Sequence, residues 1–258
     1  MIFETHAHYD DEAYDKDRDS LIRLLKEEGI APIINVGASI TSTKSTVKLA
    51  HDHSHVYAAA GVHPSEVEEL EDKDIEWLRE LAGDPKVIAI GEIGLDYHYD
   101  EPDREIQKIW FEKQLRLAKD IKLPIIVHTR DAAADTYEIL RREEYRGIQG
   151  IIHCFSYSPE EADKYVKLGY HIGIGGVVTF KNGRKLQEIA KNIPLEKIVV
   201  ETDCPYLAPE PYRGRRNSSA YLTYIIERIA SLRNVSYEEI EKATYENAVA
   251  LFGVRADG

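Results

Sequence analysis

The sequence predicts a single-domain α/β protein, a closed parallel (β/α)8 TIM barrel over residues 1–258. Three observations carry that expectation. About eight short apolar runs, rich in Val and Ile, alternate with helix-period segments along the whole chain. At least five of those runs stop at a polar residue, so His, Glu and Asp collect where a barrel has its mouth. No composition break, linker or low-complexity stretch divides the chain. An open doubly wound sheet shares the alternation, but it does not gather so many strand ends around one opening.

Residues 2–5 form the first strand and lead into His6-Ala7-His8. Residues 17–29 follow as a helix, with Leu21, Ile22, Leu24 and Leu25 at helical spacing and Gly29 as the stop. Residues 31–36 read as a strand and 42–53 as a helix. Residues 56–61 are the third strand, ending in Gly61-Val62-His63-Pro64. A short helix over 74–81 shows Ile75, Leu78 and Leu81 on one face. The fourth strand covers 87–90 and runs into Gly91-Glu92-Ile93-Gly94, which places Glu92 at a strand–loop junction. A long helix over 104–119 precedes the fifth strand, 124–127, which stops at His128. A helix over 132–142 precedes the sixth strand, 150–152, which stops at His153. A helix over 159–168 is closed by Gly169. The seventh strand spans 170–174, a helix 184–190, and the eighth strand 197–200, stopping at Glu201-Thr202-Asp203. Residues 221–232 and 237–251 are closing helices.

The bulk numbers narrow the function classes. With 43% hydrophobic residues the chain can build a sizeable core. A net charge of −13 opposes indiscriminate binding to nucleic acid or anionic lipid, though a local basic site remains open. Two cysteines, Cys154 and Cys204, do not make a disulfide framework and fit a reducing cytoplasm. Neither a signal peptide nor an apolar run near the roughly 20 residues of a membrane helix is present. The expected location is cytoplasmic, with no membrane and no obligate protein partner.

His6 and His8 are two apart on extended chain, so both side chains face the same way. His128 and His153 each end an apolar run, as do Glu92 and Asp203. Each taken alone is a polar strand terminator. Together they are four imidazoles and two carboxylates at one predicted rim, a donor set for one or two divalent cations. Glu92 is placed to bridge two such ions, an arrangement suited to phosphodiester hydrolysis. Asp203, with a second oxygen free, is positioned to orient a water or take its proton. His63, held in a Gly-Val-His-Pro turn at the same rim, is expected to bind phosphate or protonate a leaving oxygen. His51, His53 and His55 precede a strand and are expected at the opposite rim as a solvated helix end. His98 and His171 show no partner in the sequence. Cys154 and Cys204 adjoin ligands, but neighbouring strand residues point to opposite faces, so both are expected to be buried packing residues.

Read in order, His6-Ala7-His8, Gly61-Val62-His63-Pro64, Gly91-Glu92-Ile93-Gly94-Leu95-Asp96, Leu123-Pro124 through His128-Thr129-Arg130-Asp131-Ala132, His153-Cys154-Phe155-Ser156 and Glu201-Thr202-Asp203-Cys204-Pro205-Tyr206 resemble the motif series of the TatD family of metal-dependent deoxyribonucleases, amidohydrolase-like TIM barrels. The resemblance covers nearly the whole chain. It implies that His6, His8, Glu92, His128, His153 and Asp203 ligate divalent metal, with Glu92 bridging when two ions are present. It also implies hydrolysis of DNA with magnesium, often as a 3′-to-5′ exonuclease. The histidine-rich donor set equally suits Zn2+ or Mn2+. The chain departs from the family pattern at Glu4, where Asp is usual, and at Ser218-Ser219, where an acid and Pro are usual.

A net-acidic protein that takes a polyanion needs cations at its mouth. Arg213, Arg215 and Arg216 crowd the loop after the eighth strand; Lys181, Arg184 and Lys185 follow the seventh; Arg130 follows the fifth. Arg forks grip phosphate oxygens two at a time. Arg141-Arg142 lie in a helix and read as solvated surface. Tyr97, Phe155, Phe180, Tyr206 and Tyr212 occupy the same loops and either stack bases of single-stranded or frayed DNA or pack the loops. Gly173-Ile174-Gly175-Gly176 lacks a dinucleotide fingerprint and marks close backbone approach. Two other functions share the ligand set: hydrolysis of a small phosphoester, ester or amide, and a non-catalytic metal-binding barrel.

Overall fold

The computed structural model describes residues 1–256. Eight strands form one sheet in chain order, every neighbouring pair parallel. They are β1 (Ile2–Ala7), β2 (Ile30–Val36), β3 (Val56–Ala60), β4 (Val87–Asp96), β5 (Ile125–Arg130), β6 (Gly150–Ile152), β7 (His171–Ile174) and β8 (Ile198–Val200). Between them run α1 (Arg18–Glu27), α2 (Ile40–Asp52), α3 (Asp72–Leu81), α4 (Arg104–Ile121), α5 (Ala133–Leu140), α6 (Pro159–Leu168) and α7 (Arg184–Asn192); α8 (Leu222–Arg233) and α9 (Tyr237–Phe252) follow β8. The sheet closes where β8 meets β1. The Asp203 amide donates to the His6 carbonyl at 3.0 Å, and the His8 amide to the Cys204 carbonyl at 2.9 Å. The Thr5 hydroxyl donates to the Val200 carbonyl at 3.0 Å.

The side-chain period of two sorts each strand between two cores. Ile125, Val127, Ile152, Ile198 and Val200 pack outward with helix residues such as Leu25, Ala50, Leu78 and Phe111. Ile126, Ile151 and Val199 point inward and join Phe3, Ile34, Val36, Ala59 and Ile88. The same inner cluster takes Tyr245, Ala248, Val249 and Phe252 from α9, with the Phe3 ring 6.0 Å from that of Phe252. Leu251 lies beside Pro124 and Gln149, the residues just ahead of β5 and β6. The last helix therefore stoppers the barrel at the strand starts and leaves the opposite end open.

Helix starts follow the local chemistry. Ser39, Ser158 and Ser236 each accept a hydrogen bond from a first-turn amide, and Gly169 closes α6 in the left-handed region. One boundary differs from expectation with consequences for the site. β4 does not stop at Ile90 but continues to Asp96, so Glu92 sits within a strand. It continues because the ladder to β5 resumes beyond an irregularity, pairing Ile93 through Asp96 with Val127 through Arg130. His128 likewise lies inside β5.

Candidate metal centre

Inward-facing positions beyond the apolar layer carry the polar side chains. His128 follows inward Ile126 by two residues, and His153 follows Ile151 by two; Glu201 and Asp203 stand two and four beyond Val199. Glu92 lies at the centre, 4% exposed. Its carboxylate is 2.7 Å from His128 Nδ1, 3.5 Å from His6 Nε2 and 3.7 Å from His8 Nε2 and from His153 Nε2. Asp203 Oδ1 is 3.5 Å from His8 Nε2 and 3.7 Å from the Nε2 atoms of His6 and His153. The His6 and His8 Nε2 atoms are 3.0 Å apart, and the His6 and His153 rings stack at 3.5 Å. All six expected ligands converge.

The partners of the outer ring atoms show which lone pairs are available. His8 Nδ1 donates to the Val36 carbonyl at 2.9 Å, which turns its Nε2 toward the centre. His153 Nδ1 is 3.1 Å from the Glu201 carboxylate, and His128 Nε2 is 3.0 Å from Asp96. Carboxylates behind ligating imidazoles fix ring orientation and raise basicity. Asp96 is itself held by the Gln107 side chain, which accepts from its amide at 2.8 Å. Asp96 and Glu201 stand directly behind expected ligands, and neither is among the candidates named from the sequence. Glu201 needs Gly173: a Cβ there would stand 2.5 Å from the Glu201 carboxylate, which gives the close approach expected of that glycine run its occupant.

The electrostatics ask for positive charge. Burial opposes a charged His8, but Asp203 and Glu92 more than reverse it and hold the imidazole at about 9. Burial is likewise outweighed at His153, where Glu201 and Asp203 lift it to about 10. His6, the most enclosed, is driven down by burial and by His153. Despite burial, the surrounding imidazoles hold Glu92 well below the usual carboxylate range. The site thus draws protons onto His8 and His153 between the two carboxylates, positive charge that a divalent cation would supply in their place. Sets of three such ligand atoms lie within 4.8 Å of one another on His6, His8 and Asp203 and again on His63, Glu92 and His128. This donor set fits divalent cations.

A cavity of about 790 Å³ opens above the cluster, within the range of ligand pockets. His63 lines it, its Nδ1 accepting from the Ser65 amide at 3.1 Å and lying 2.8 Å from the Ser65 hydroxyl. With Nδ1 an acceptor, the proton of the neutral ring sits on Nε2, which faces Glu92 at 3.9 Å. Burial, then His128, lowers this imidazole to about 3, so it is neutral at pH 7.

Of the expected substrate contacts, Arg130 lines the cavity, its guanidinium 5.8 Å from the centre of the Tyr99 ring. Lys181, Arg213 and Arg215 are exposed on the loops after β7 and β8, outside the lining, and Arg213 lies over Phe180 at 4.3 Å. Arg216 is spent elsewhere: it pairs with both oxygens of Asp17, at 2.6 and 2.7 Å, and covers Tyr14. Of the aromatics, Phe155 and Phe180 are buried, Tyr97 donates to Asp135 and Tyr212 stacks on Tyr221, so all four pack loops. Tyr206 lines the cavity and is 55% exposed.

Two expectations need correction. Cys204 is buried, but Cys154 is only partly so and lines the cavity, because its φ of 45° turns the chain there out of strand geometry. His53 and His55 are not solvated; the turn before β3 folds them inward, toward Asp19 and the Ile22 carbonyl, both at 3.1 Å, while His51 stays exposed beside Asp84. His98 has a partner in Asp131 at 3.2 Å. The departure at Glu4 is absorbed by the interior: its carboxylate accepts from the His6 amide at 3.1 Å and from the Thr202 hydroxyl at 2.6 Å. Among the described residues no helix is long and apolar enough to cross a membrane.

The profile of the family described as TatD related DNase matches residues 3–253. The chain is 42% identical over 254 residues to the uncharacterized metal-dependent hydrolase YabD of Bacillus subtilis, covering 98% of this chain and all of that one. It is 33% identical over 258 residues to the 3′-5′ ssDNA/RNA exonuclease TatD of Escherichia fergusonii, covering 98% and 99%. The crystal structure of YjjV, a TatD homologue from Escherichia coli, superposes with a TM-score of 0.92 at 30% identity, covering 98% of each chain.

Proposed function

The chain belongs to the TatD-related DNase family of metal-dependent hydrolases, and from that premise we propose that it cleaves phosphodiester bonds of single-stranded or frayed DNA, as a 3′-to-5′ exonuclease. The whole chain acts as one hydrolase domain. The observation that carries the substrate assignment is the pairing of a convergent His/carboxylate centre with an open cavity that Arg130 lines.

His6, His8, Glu92, His128, His153 and Asp203 would hold one or two divalent ions. Bound there, they supply Lewis acidity toward a phosphoryl oxygen and make water more acidic. Asp203 turns Oδ1 to the imidazoles, and its other oxygen takes no hydrogen bond from the described residues. That oxygen accepts the proton of the attacking water. His63, neutral and protonated on Nε2, donates a hydrogen bond to a phosphate oxygen as charge builds there. Between the two roles the sequence left open, a neutral ring of low acidity supports phosphate binding over protonation of the leaving oxygen. Arg130 grips a neighbouring phosphate, and Lys181, Arg213 and Arg215 attract the strand toward the same side.

The test is digestion of a 5′-labelled single-stranded DNA oligomer with Mg2+ or Mn2+, beside Glu92→Gln and a chelated control. A ladder shortening from the 3′ end is expected, lost in both controls. Absence of cleavage by folded, metal-loaded protein would overturn the assignment and favour a small phosphoester or ester substrate.

A further inference from the structure

Strand β1 changes sides partway along. Phe3 packs in the inner cluster, whereas Ile2 and Ala7 pack in the outer one. A strand of regular period two would put Phe3 and Ala7 on the same face. The exchange falls at an irregularity in the ladder to β2. Ile2, Glu4 and Ala7 pair with Ile30, Ile33 and Asn35, so two residues of β1 span three of β2, and then three span two. This shift turns His6 and His8 to the centre. Without it Thr5 and Ala7 would face there.

The same stretch borders the most sparsely paired junction of the barrel. Seven neighbouring pairs of strands have registered ladders. Between β8 and β1 the described residues form one bridge, Ala7 with Cys204. The metal centre spans that junction: Asp203 Oδ1 lies 3.5 Å from His8 Nε2 and 3.7 Å from His6 Nε2.

Glu4 meets both features. It is fully buried, outside the cavity lining and outside the sets of converging ligand atoms. Its Oε1 accepts from the His6 amide at 3.1 Å and from the Thr202 amide at 3.0 Å. Its Oε2 accepts from the Thr202 hydroxyl at 2.6 Å. The first bond lies inside the irregularity of β1. The other two cross the junction to the residue before Asp203. Burial raises this carboxyl to about 7 against the donors that hold it down, so at pH 8 it is ionised. Hydrogen bonds to an ionised acceptor are the strong ones.

We propose that Glu4 is a positioning residue of the metal centre: its carboxylate holds the change of side in β1, ties it to the segment before Asp203, and so sets the His6/His8 pair against Asp203. The inference rests on the ligand assignment above and on no choice of substrate. Glu4 reaches the ions only through His6 and Asp203. Gln at this position keeps the volume, but its amide nitrogen is a donor and meets a donor. A buried N–H or O–H is then left without an acceptor and the tie slackens.

The test is competition between the apo protein and a chelating dye for Co2+ at pH 8, at a temperature where circular dichroism shows each variant folded. The visible spectrum of the bound Co2+ is recorded alongside, because it reads coordination geometry. In Glu4→Gln the affinity should fall about 10- to 100-fold and the spectrum should change. Glu4→Asp keeps both acceptor oxygens and should bind at least about fivefold more tightly than Glu4→Gln. A packing role alone gives Glu4→Gln a lower stability with the affinity and spectrum of the wild type, and that result overturns the proposal. So does a Glu4→Asp protein as weak as Glu4→Gln. Thr202→Val removes only the hydroxyl bond and guards against a Glu4→Gln chain that fails to fold. It should weaken Co2+ binding about threefold or more, and unchanged affinity again overturns the proposal. Glu92→Gln runs in parallel. If it binds Co2+ like the wild type, or if the wild type binds none, the ligand assignment fails and the proposal falls with it. If it loses Co2+ while the Glu4 and Thr202 variants do not, the proposal alone falls.

Discussion

Glu92 lies within 3.9 Å of an imidazole nitrogen from each of five histidines: His6, His8, His63, His128 and His153. No cluster of this density survives without charge balance, and the residues behind it decide how well it is aimed. Glu201 is the sharpest case. It is 1% exposed, stands 3.1 Å from His153 Nδ1 and accepts the Cys154 amide at 2.5 Å. Glu201→Gln keeps the shape and removes the charge behind His153. Metal affinity, measured by competition with a chelating dye, should fall about 10- to 100-fold with the fold intact. Unchanged affinity would make Glu201 a packing residue. The six ligands were legible because each follows an apolar run. Glu201 could have been read the same way, as the next inward position after Val199. Asp96 could not, since its partner His128 is reached only through the extension of β4.

At the scale of elements, β4 is where the sequence misleads. Gly91 and Gly94 look like a loop, yet they are the positions where strand β4 passes its neighbours most closely. A Cβ at Gly94 would stand 1.9 Å from the His128 carbonyl oxygen, at a φ of 146° that L side chains avoid. The glycines let β4 stay paired with β5 while Glu92 and His128 meet. Gly94→Ala should therefore cost at least about 2–3 kcal/mol of stability in urea unfolding and weaken metal binding with it. A variant of wild-type stability would show that β4 relaxes freely and that its register does not hold the centre together. Histidines 53 and 55 mislead in the opposite sense: polar residues before a strand read as solvated, but the turn folds them under α1, with a carboxylate and a carbonyl as partners.

The barrel separates function from stability along its axis. Ligands and cavity occupy the open end, while α9 stoppers the other against Phe3. His171 starts β7 at that closed end, far from the metal ligands in the chain, so its titration reports on the fold alone. Burial, with the Lys197 ammonium adding to it, pushes this imidazole down to about 4. In the unfolded chain it returns to about 6.5. The folded state therefore binds fewer protons between those values, and its stability is whole above pH 6.5 and drains away as the pH falls toward 4. Comparing unfolding free energies at pH 7.5 and pH 5 for the wild-type protein and for His171→Gln isolates this contribution. The variant should lose less on acidification, by on the order of 1–2 kcal/mol. Equal losses would mean that His171 protonates in the folded barrel as readily as in water. The acid sensitivity would then belong to the charged cluster at the mouth, and the two ends of the barrel would not be energetically separate.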